Sequence, residues 1–366
     1  MHHKMYLKIK CIYNIILNFF STTTSIPLQD STSKKAKKQM KLTCAEQTKI
    51  LTENDIKIYN GDIVNVERKR KLDKYRKQLQ KLKDLPIIIQ RTKEWYDARK
   101  LRLTASDLDE ALSKNNLRLA KKKAGVIIDN TNYAVIPALK WGTMFEPMAS
   151  RCYSQANNNI QIHEFGLIPD PKLEHFGASP DGINDMGIMI EIKCPFSREI
   201  VDNNIPYKYY MQIQGQLAVC CLEECDYIEC DFTIAENVFN YIDEMFNTYQ
   251  NPVINHGIIA EYKNKVTEEY KYLYSDPYLN AADAHINIQK QILEFNSLEN
   301  GEYIFMKLTP WKLKKMNVQR VTFDEQLWNE TVPRINSFWD KVEECKLLPT
   351  EEVIQKVKIA FIEDED

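Results

Sequence analysis

Two short motifs constrain what this 366-residue chain can fold into more than any other feature, and they are Ser179-Pro180-Asp181-Gly182 and Glu191-Ile192-Lys193. Side chains two positions apart in a strand lie on one face, so Glu191 and Lys193 point the same way. Between the motifs, residues 184–187 (Asn-Asp-Met-Gly) have the composition of a hairpin turn. The sequence therefore predicts a β-hairpin that brings Asp181 close to Glu191.

Each motif also has an ordinary structural explanation, because Asp-Gly pairs are common in turns and Glu-x-Lys is common on the solvent face of a strand. However, residues 188–192 are almost continuously apolar, which is typical of a strand buried on both faces. Charges inside such a strand are costly unless they are paired or bind a metal. We therefore predict that Asp181 and Glu191 bind Mg²⁺ or Mn²⁺, with Lys193 beside them to orient or deprotonate a water.

Charge is unevenly distributed along the chain, although the net charge is −2. Residues 1–140 carry 30 Lys and Arg against 14 Asp and Glu, whereas residues 141–366 carry 19 against 37. A basic half suits a polyphosphate partner, and an acidic half supplies metal ligands. A lysine-rich solvated tail is the alternative explanation of the basic half.

Cysteine usage and hydropathy indicate the compartment. Nine cysteines without regular spacing favour a reducing environment, and the apolar neighbours of Cys220, Cys221, Cys225 and Cys230 favour free thiols over a zinc site. The apolar stretch at residues 5–20 contains asparagines and lacks a cleavage site, and no run is long enough to span a bilayer. We expect an intracellular protein without a membrane segment.

A candidate phosphate pocket precedes the hairpin motifs. Thr92 caps a predicted helix in which Trp95 and Arg99 are i, i+4 neighbours on one face. The Arg99 guanidinium and the hydroxyls of Thr104 and Ser106, at the start of a second helix, suit a terminal phosphate. Core packing is the simpler role for Trp95.

The elements around the hairpin predict an α/β core with a mixed sheet. A helix over residues 138–155, kinked at Pro147, contains Glu146 as a candidate third carboxylate. A helix over residues 207–221 and a strand over residues 226–233 follow the hairpin.

We divide the chain into four segments: a poorly ordered basic extension at 1–40, a helical segment at 41–86, the α/β core at 87–260, and a helical region packed on the core at 261–366. Lys121-Lys122-Lys123 are predicted to lie in a loop. Trp328 to Val342 form an apolar packing stripe, interrupted at Pro333.

Six motifs follow one another in a recognisable order: Gln90-Arg91-Thr92-x-x-Trp95-x3-Arg99, Thr104-Ala105-Ser106, Trp141-Gly142-x3-Glu146-Pro147-x-Ala149, Ser179-Pro180-Asp181-Gly182, Glu191-x-Lys193-Cys194-Pro195 and Tyr210-x-Gln212-x-Gln214-x-Gln216-Leu217. Together, over residues 87–233, they resemble the lambda-exonuclease-type, or YqaJ-like, viral recombinase nucleases of the PD-(D/E)XK superfamily. A single Asp and Glu-x-Lys pair is weakly specific, whereas six motifs in order are strongly so.

The resemblance implies a restriction-endonuclease-like core and an exonuclease that degrades one strand of duplex DNA from its 5′ end. The metal ligands that it implies, for one or two Mg²⁺ ions that Mn²⁺ can replace, are Glu146, Asp181, Glu191 and the Ile192 carbonyl. It further implies that Lys193 positions or activates the attacking water and that Gln212 helps to hold it.

The same resemblance assigns 5′-phosphate contacts to Arg99 and Ser106, together with Thr104 and Ser179, and places Trp95 against the terminal nucleotide. It implies double-stranded DNA ends and a single-strand annealing protein as partners, in host cytoplasm or nucleus. The oligomeric state stays open between a monomer and a ring. The alternatives are an endonuclease of the same superfamily and an inactive DNA-binding scaffold.

Overall fold

The computed structural model describes residues 56–57, 63–64, 66–86, 88–129, 135–247, 255–276, 279–299 and 301–353. The predicted basic extension at residues 1–40 lies outside the described residues. Contacts divide the chain into two compact units. In the described part of the first unit, strands β1 (Ile56–Lys57) and β2 (Ile63–Val64) pair antiparallel.

Helices and strands alternate along the second unit, which comprises residues 58–62 and 67–366. The helices are α1 (Val66–Lys83), α2 (Lys93–Lys100), α3 (Leu108–Leu112), α4 (Leu117–Lys123), α5 (Pro137–Ala156), α6 (Tyr207–Cys220), α7 (Val238–Asn247), α8 (Ala281–Leu298) and α9 (Glu325–Cys345), with a 3₁₀ turn at Ala105–Asp107. The strands are β3 (Leu103–Thr104), β4 (Ile127–Asp129), β5 (Ile162–His163), β6 (Ile168–Pro169), β7 (Phe176–Ala178), β8 (Gly182–Asn184), β9 (Met189–Lys193), β10 (Glu224–Ile234), β11 (His256–Asn264), β12 (Tyr270–Tyr274), β13 (Tyr303–Thr322) and β14 (Glu351–Val353).

A seven-stranded mixed sheet in the order β12-β11-β13-β10-β9-β8-β5 forms the centre of this unit. Strands β9 and β10 are parallel, and the other neighbouring pairs are antiparallel. A parallel pair requires a crossover connection, which α6 provides between β9 and β10. The predicted α/β class, with a central mixed sheet flanked by helices, is confirmed.

The predicted hairpin is formed by β8 and β9, in which Gly182 lies opposite Ile190. Its turn is closed by the side chain of Asn184, whose Oδ1 accepts hydrogen bonds from the backbone of Met186 at 2.9 Å and of Ile188 at 3.2 Å. Gly187 has φ +76°, and a Cβ there would lie 2.5 Å from the backbone of Tyr75 on α1. The turn therefore needs glycine for its backbone conformation and for the close approach of α1.

Helices cover both faces of the sheet at the hairpin. On one face, the Tyr153 hydroxyl of α5 donates to Asp226 on β10 at 2.6 Å. On the other, Gln212 and Gln216 of α6 reach Glu191 on β9. The residues of β9 from Met189 to Ile192 are buried, as the apolar run predicts.

A smaller sheet positions the segment that leads into the first hairpin motif. Its order is β3-β7-β6, with Leu103 opposite Phe176 and Thr104 opposite Gly177. Because β7 ends at Ala178, this pairing sets Thr104 at the level of the residues just before Ser179. The two candidate sites predicted from sequence are thus joined by strand pairing.

The region after residue 260 differs from its prediction as a helical addition. It contains α8 and α9, but also β12 and the 20-residue strand β13, which pairs with both β10 and β11 in the central sheet. The predicted boundary at 260 falls inside β11. The error has a physical origin: β13 contains four lysines and few fully buried residues, and its pairing partners are distant in sequence.

Two local predictions are also corrected. Lys121 to Lys123 lie in the last turn of α4 rather than in a loop, and Lys123 is largely buried there. Helix α9 continues through Pro333 without interruption. Its apolar face, which includes Trp328 and Ile335, is buried, and this packing outweighs the backbone hydrogen bond lost at the proline.

The described part of the chain contains no helix with the length and apolar character needed to cross a bilayer.

Candidate active site

Glu191 is fully buried on β9, and hydrogen-bond donors surround its carboxylate. Lys193 forms a short ion pair with one carboxylate oxygen, Oε1, to which Gln212 also donates at 2.7 Å. Gln216 donates to the other oxygen at 2.8 Å. The i, i+2 spacing thus places the amine and the carboxylate together, as predicted.

The charge state of Lys193 follows from this setting. Burial disfavours the ammonium, but the carboxylates of Glu191 and Asp181 outweigh it and raise the pKa of Lys193 above its ordinary value. The ammonium also lies 4.9 Å from the ring centroid of Tyr209 on α6. Lys193 is therefore a protonated donor in this arrangement, which suits it to orient a water rather than to deprotonate one.

Asp181 lies at the start of β8 and turns back onto β9. Its Oδ2 accepts a hydrogen bond of 2.7 Å from the backbone N–H of Ile192. Burial, followed by the negative charges of Glu191 and Glu146, raises the pKa of Asp181 well above its usual range. The hairpin therefore brings the predicted carboxylates close enough to repel one another.

Glu146 on α5 belongs to the same group of charges. Burial raises the pKa of Glu146, the positive charges of Arg91 and Lys193 oppose this shift, and Glu191 adds to it. Arg91 holds the Glu146 carboxylate through one amino group, at 3.1 and 2.9 Å from its two oxygens. The third carboxylate predicted on this helix is thus brought to the hairpin.

Two observations bear on whether these carboxylates suit a divalent cation. Within the described ranges, no group of three or more His, Cys, Asp or Glu side chains has the arrangement of a metal site. In this arrangement Lys193, Gln212 and Gln216 donate to the oxygens of Glu191, and Arg91 donates to those of Glu146. The mutual repulsion of Asp181, Glu146 and Glu191 is nevertheless what a divalent cation relieves, and hard carboxylate oxygens are the donors it prefers. These carboxylates would suit Mg²⁺ or Mn²⁺ if the Lys193 ammonium and the Arg91 guanidinium moved away from them.

The predicted phosphate pocket is assembled around Arg99. Its guanidinium donates to Thr104 Oγ1 at 3.2 Å and to Ser106 Oγ at 2.9 Å, and it lies 4.3 Å from the ring centroid of Trp95. The Trp95 indole N–H donates to Ser179 Oγ at 3.1 Å. All five residues predicted for this pocket are therefore joined by direct contacts.

Ser179 connects the two parts of the site, because it precedes Asp181 by two residues. Gln90 reinforces this connection by donating to the carbonyl of Pro180 at 3.2 Å and to that of Phe165 at 2.7 Å. The predicted metal ligands and the predicted phosphate pocket are thus connected through Ser179 and Pro180. The role of the Ile192 carbonyl as a ligand stays a prediction.

Several residues of this site were not assigned a role from the sequence. Asp107 accepts from Thr104 at 2.9 Å and pairs with Lys123 of α4 at 2.8 Å, so a buried ion pair supports the phosphate pocket. Gln216 and Arg91 hold Glu191 and Glu146. Gln216 and Arg91 lie inside two of the six motifs, so the sequence could have indicated a role for them. Lys123 lies outside the motifs, and only tertiary packing brings it to Asp107.

The cysteine prediction can also be assessed. Cys220, Cys225 and Cys230 are buried free thiols, whereas Cys221 is exposed with φ +51° at the end of α6. Burial raises the pKa of Cys220 and Cys225, so both are neutral thiols.

Comparison with known proteins identifies the part of the chain that contains this site. Residues 94–223 match the family described as the YqaJ-like viral recombinase domain. Over these residues the chain is similar to YqaJ-like viral recombinase domains, and we call residues 94–223 the YqaJ-like domain. The match includes the phosphate pocket, Glu146, the hairpin and Gln212, and it confirms the resemblance drawn from the six motifs. Of the central sheet, the matched residues contain β5, β8 and β9, whereas β10, β11, β12 and β13 lie outside them.

One curated relative is uncharacterized protein R354 of Acanthamoeba polyphaga mimivirus, which is 24% identical over 307 residues. The match covers 72% of this chain and 54% of the relative, so this chain spans about half the length of the curated relative that it matches.

Solved structures of exonucleases are similar at low scores. The alkaline exonuclease LHK-Exo of Laribacter hongkongensis has a TM-score of 0.41 and 19% identity, covering 69% of this chain and 93% of that chain. A phage-related exonuclease of Haemophilus somnus 129PT has a TM-score of 0.36 and 9% identity, covering 67% and 94%. At these scores the similarity by itself assigns no activity to the YqaJ-like domain.

Proposed function

We propose that this protein is a metal-dependent deoxyribonuclease, specifically an exonuclease that degrades one strand of linear double-stranded DNA from its 5′ end. The observation that carries the proposal is the convergence of Asp181, Glu191 and Glu146 around Lys193 within a YqaJ-like domain. Structural ion pairs also perturb pKa values, so the proposal rests on these carboxylates together with the matched domain and the neighbouring phosphate pocket.

Each group has a role in phosphodiester hydrolysis. Asp181, Glu191 and Glu146, with the Ile192 carbonyl, would hold one or two Mg²⁺ or Mn²⁺ ions. Such ions supply Lewis-acid stabilisation of the charge that develops on the phosphate oxygens. Lys193 and Gln212 orient the water that attacks phosphorus in line, and the bond to the 3′ oxygen of the leaving nucleotide breaks.

The phosphate pocket explains the proposed preference for a 5′ end. The Arg99 guanidinium and the hydroxyls of Ser106 and Ser179 offer donors to a terminal phosphate, which carries more negative charge than an internal one. Thr104, whose hydroxyl donates to Asp107, accepts from Arg99 and positions it. Trp95 braces Arg99 and limits the space beyond the terminal nucleotide. Binding of the end then sets which phosphodiester lies at the carboxylates.

The biological role that fits is the processing of duplex ends in viral recombination, repair or replication, with a single-strand annealing protein as partner in host cytoplasm or nucleus. The oligomeric state, monomer or ring, belongs to the same proposal. The mimivirus relative supports a viral setting.

The decisive experiment uses a linear duplex with a different label at each end of one strand, incubated with Mg²⁺. We expect the 5′ label to be released first as a mononucleotide. Release of the 3′ label first would overturn the polarity. A covalently closed circular duplex tests the rival class, since nicking or linearisation would instead indicate an endonuclease.

Catalytic variants test the site itself. Asp181→Asn, Glu191→Gln and Lys193→Ala should each lower the hydrolysis rate by at least about 10²-fold, because each removes a group that acts on the reacting phosphate. Duplex binding, measured in Ca²⁺, should persist. Turnover like that of the parent in any of the three would refute its assignment, and absence of metal-dependent cleavage in the parent would favour a DNA-binding scaffold.

A further inference from the structure

A row of three tyrosines lies on β12, outside the residues that match the YqaJ-like domain. Tyr270, Tyr272 and Tyr274 alternate along this strand, so their side chains share one face of the sheet. The ring centroids are 6.4 Å apart between the first two tyrosines and 6.5 Å apart between the last two. We call these three residues the tyrosine row. Strand β12 is the terminal strand of the central sheet, so the row lies at an edge.

The apolar core cluster at this edge of the sheet lies on the face opposite the tyrosine row. The intervening residues of β12 point to the opposite face, where Leu273 packs on a cluster that contains Phe295 of α8, and Lys271 pairs with Glu299 at 2.9 Å. The contact of β12 with the apolar core is made on that face, by Leu273. The three tyrosines remain only partly buried on the other face.

Helix α5 places cations over the two ends of the row. The Lys140 ammonium, which also pairs with the buried Glu261 of β11 at 2.6 Å, lies 4.0 Å from the ring centroid of Tyr270, and the Arg151 guanidinium carbon lies 5.7 Å from that of Tyr274. Arg151 is exposed. The Tyr274 hydroxyl donates to the Met144 carbonyl of the same helix at 3.1 Å, which fixes the row against α5.

The row begins beside the candidate metal ligands. Along helix α5, Glu146 lies between Lys140 and Arg151, the two cations that contact the rings. Burial raises the pKa of Tyr274, and the charges of Arg91 and Glu146 act on that same hydroxyl. A DNA strand that leaves the carboxylates along α5 therefore reaches the tyrosine row first.

Beyond Tyr274 the row opens into a polar cavity of about 680 Å³. Arg151 and Tyr274 form part of its wall, and α5 and α8 contribute hydroxyl and amide side chains, among them Ser150, Ser154, Asn287 and Gln291. The cavity continues the line of aromatic and basic groups with hydrogen-bonding groups that suit bases and sugars.

We infer that the tyrosine row, its two flanking cations and the adjoining cavity bind single-stranded DNA that emerges from the active site. Aromatic rings beside cations in an open groove are the general means of binding single strands, because every unpaired base has a face that stacks and every phosphate has a charge. Bases in a duplex are already stacked on one another. The inference rests on the proposed function, which generates single strands at the site where the row begins.

The test measures binding without cleavage. Full-length protein in EDTA is titrated into oligothymidylate with a 5′ hydroxyl and a fluorophore at its 3′ end, and anisotropy gives the dissociation constant. Tyr272→Ala should weaken binding about tenfold, the loss of one stacked base. Tyr272→Phe keeps the ring and should stay within about twofold of the parent.

Two further variants separate stacking from charge. Arg151→Gln, on an exposed residue, should reduce the slope of log affinity against log salt by about 0.7, the value for one phosphate contact on a single strand. Lys271→Ala removes a cation from the same strand on the opposite face and should leave the affinity unchanged. Matching thermal melting of all variants shows that the fold is intact.

The outcomes are distinguishable from those of the proposed function. Equal affinity of parent and Tyr272→Ala protein for the oligonucleotide overturns the inference, as does equal weakening by Tyr272→Ala and Tyr272→Phe. Neither result depends on metal or hydrolysis. Failure of the end-labelled duplex to be cleaved in Mg²⁺ would refute the nuclease proposal without altering the measured contribution of the row to binding.

Discussion

At the scale of single residues, the carboxylate of Glu191 shows how a charge is kept inside a sheet. Its side chain is fully buried, and Lys193, Gln212 and Gln216 all donate to it. A buried charge without partners is strongly unfavourable, whereas a paired and hydrogen-bonded one is tolerated. The two amides on α6 therefore hold the Glu191 carboxylate in place.

This arrangement predicts a stability cost at Gln216, which is almost fully buried. Gln216→Met keeps the length of the side chain but removes a donor to the Glu191 carboxylate, and should lower the free energy of unfolding by about 1 to 3 kcal/mol. Urea denaturation without divalent metal measures this. In a Glu191→Gln background the loss should be smaller, and an equal loss would show that Gln216 acts by packing alone.

Arg99 provides a prediction on substrate preference. Arg99→Ala should reduce the ratio of hydrolysis rates on 5′-phosphorylated and 5′-hydroxyl duplexes by about 10-fold or more, because hydrogen bonds to a charged group contribute about 1.5 to 3 kcal/mol. Competition between the two duplexes in one reaction gives the ratio directly. If the parent enzyme already treats both ends alike, the pocket has another role.

At the scale of elements, the β8–β9 hairpin depends on its turn and on what packs against it. Sequence composition predicted the turn correctly, and Asn184 and Gly187 form it. The close approach of α1 to this turn, at Tyr75, is a tertiary contact that the composition does not reveal. The hairpin that carries Asp181 is therefore supported by a helix outside the YqaJ-like domain.

Two glycines allow this to be tested with a matched control. Gly187→Ala should destabilise the protein by about 2 kcal/mol or more, since a positive φ is strained for alanine and the new Cβ would meet the backbone of Tyr75 at 2.5 Å. Gly142→Ala, in α5 with open space around the new atom, should be neutral or stabilise by up to about 1 kcal/mol. Chemical denaturation of both compares them, and equal effects would contradict the role of the turn.

At the scale of the whole molecule, the central sheet extends beyond the YqaJ-like domain. Strand β13 pairs with β10 over its C-terminal half and with β11 over its N-terminal half, so residues after 300 complete the sheet that holds β9. Glu224 and Asp226 on β10 pair with Arg320 on β13, which adds buried ion pairs to this connection. The active-site strand and the tyrosine row thus belong to the same sheet.

Global stability should respond to metal. Because Asp181, Glu146 and Glu191 repel one another, a cation that binds them stabilises the folded state in proportion to the logarithm of its concentration above the dissociation constant. Mg²⁺ or Mn²⁺ should raise the melting temperature of the parent, and the increase should shrink in Asp181→Asn. A melting temperature that rises equally in both proteins would place the bound metal elsewhere.

The sequence by itself predicted the hairpin, the helices before and after it, and which side chains gather at the candidate site, because strand alternation, turn composition and ordered motifs are local properties. It did not determine the long strand β13, the continuation of α9 through Pro333, or the burial of Lys123 beside Asp107. These depend on partners distant along the chain: β10 for the strand, buried apolar side chains for the helix, and a carboxylate that makes burial of an ammonium tolerable. Only tertiary structure brings such partners together, and for the same reason only tertiary structure aligns Tyr270, Tyr272 and Tyr274 with the cations of α5.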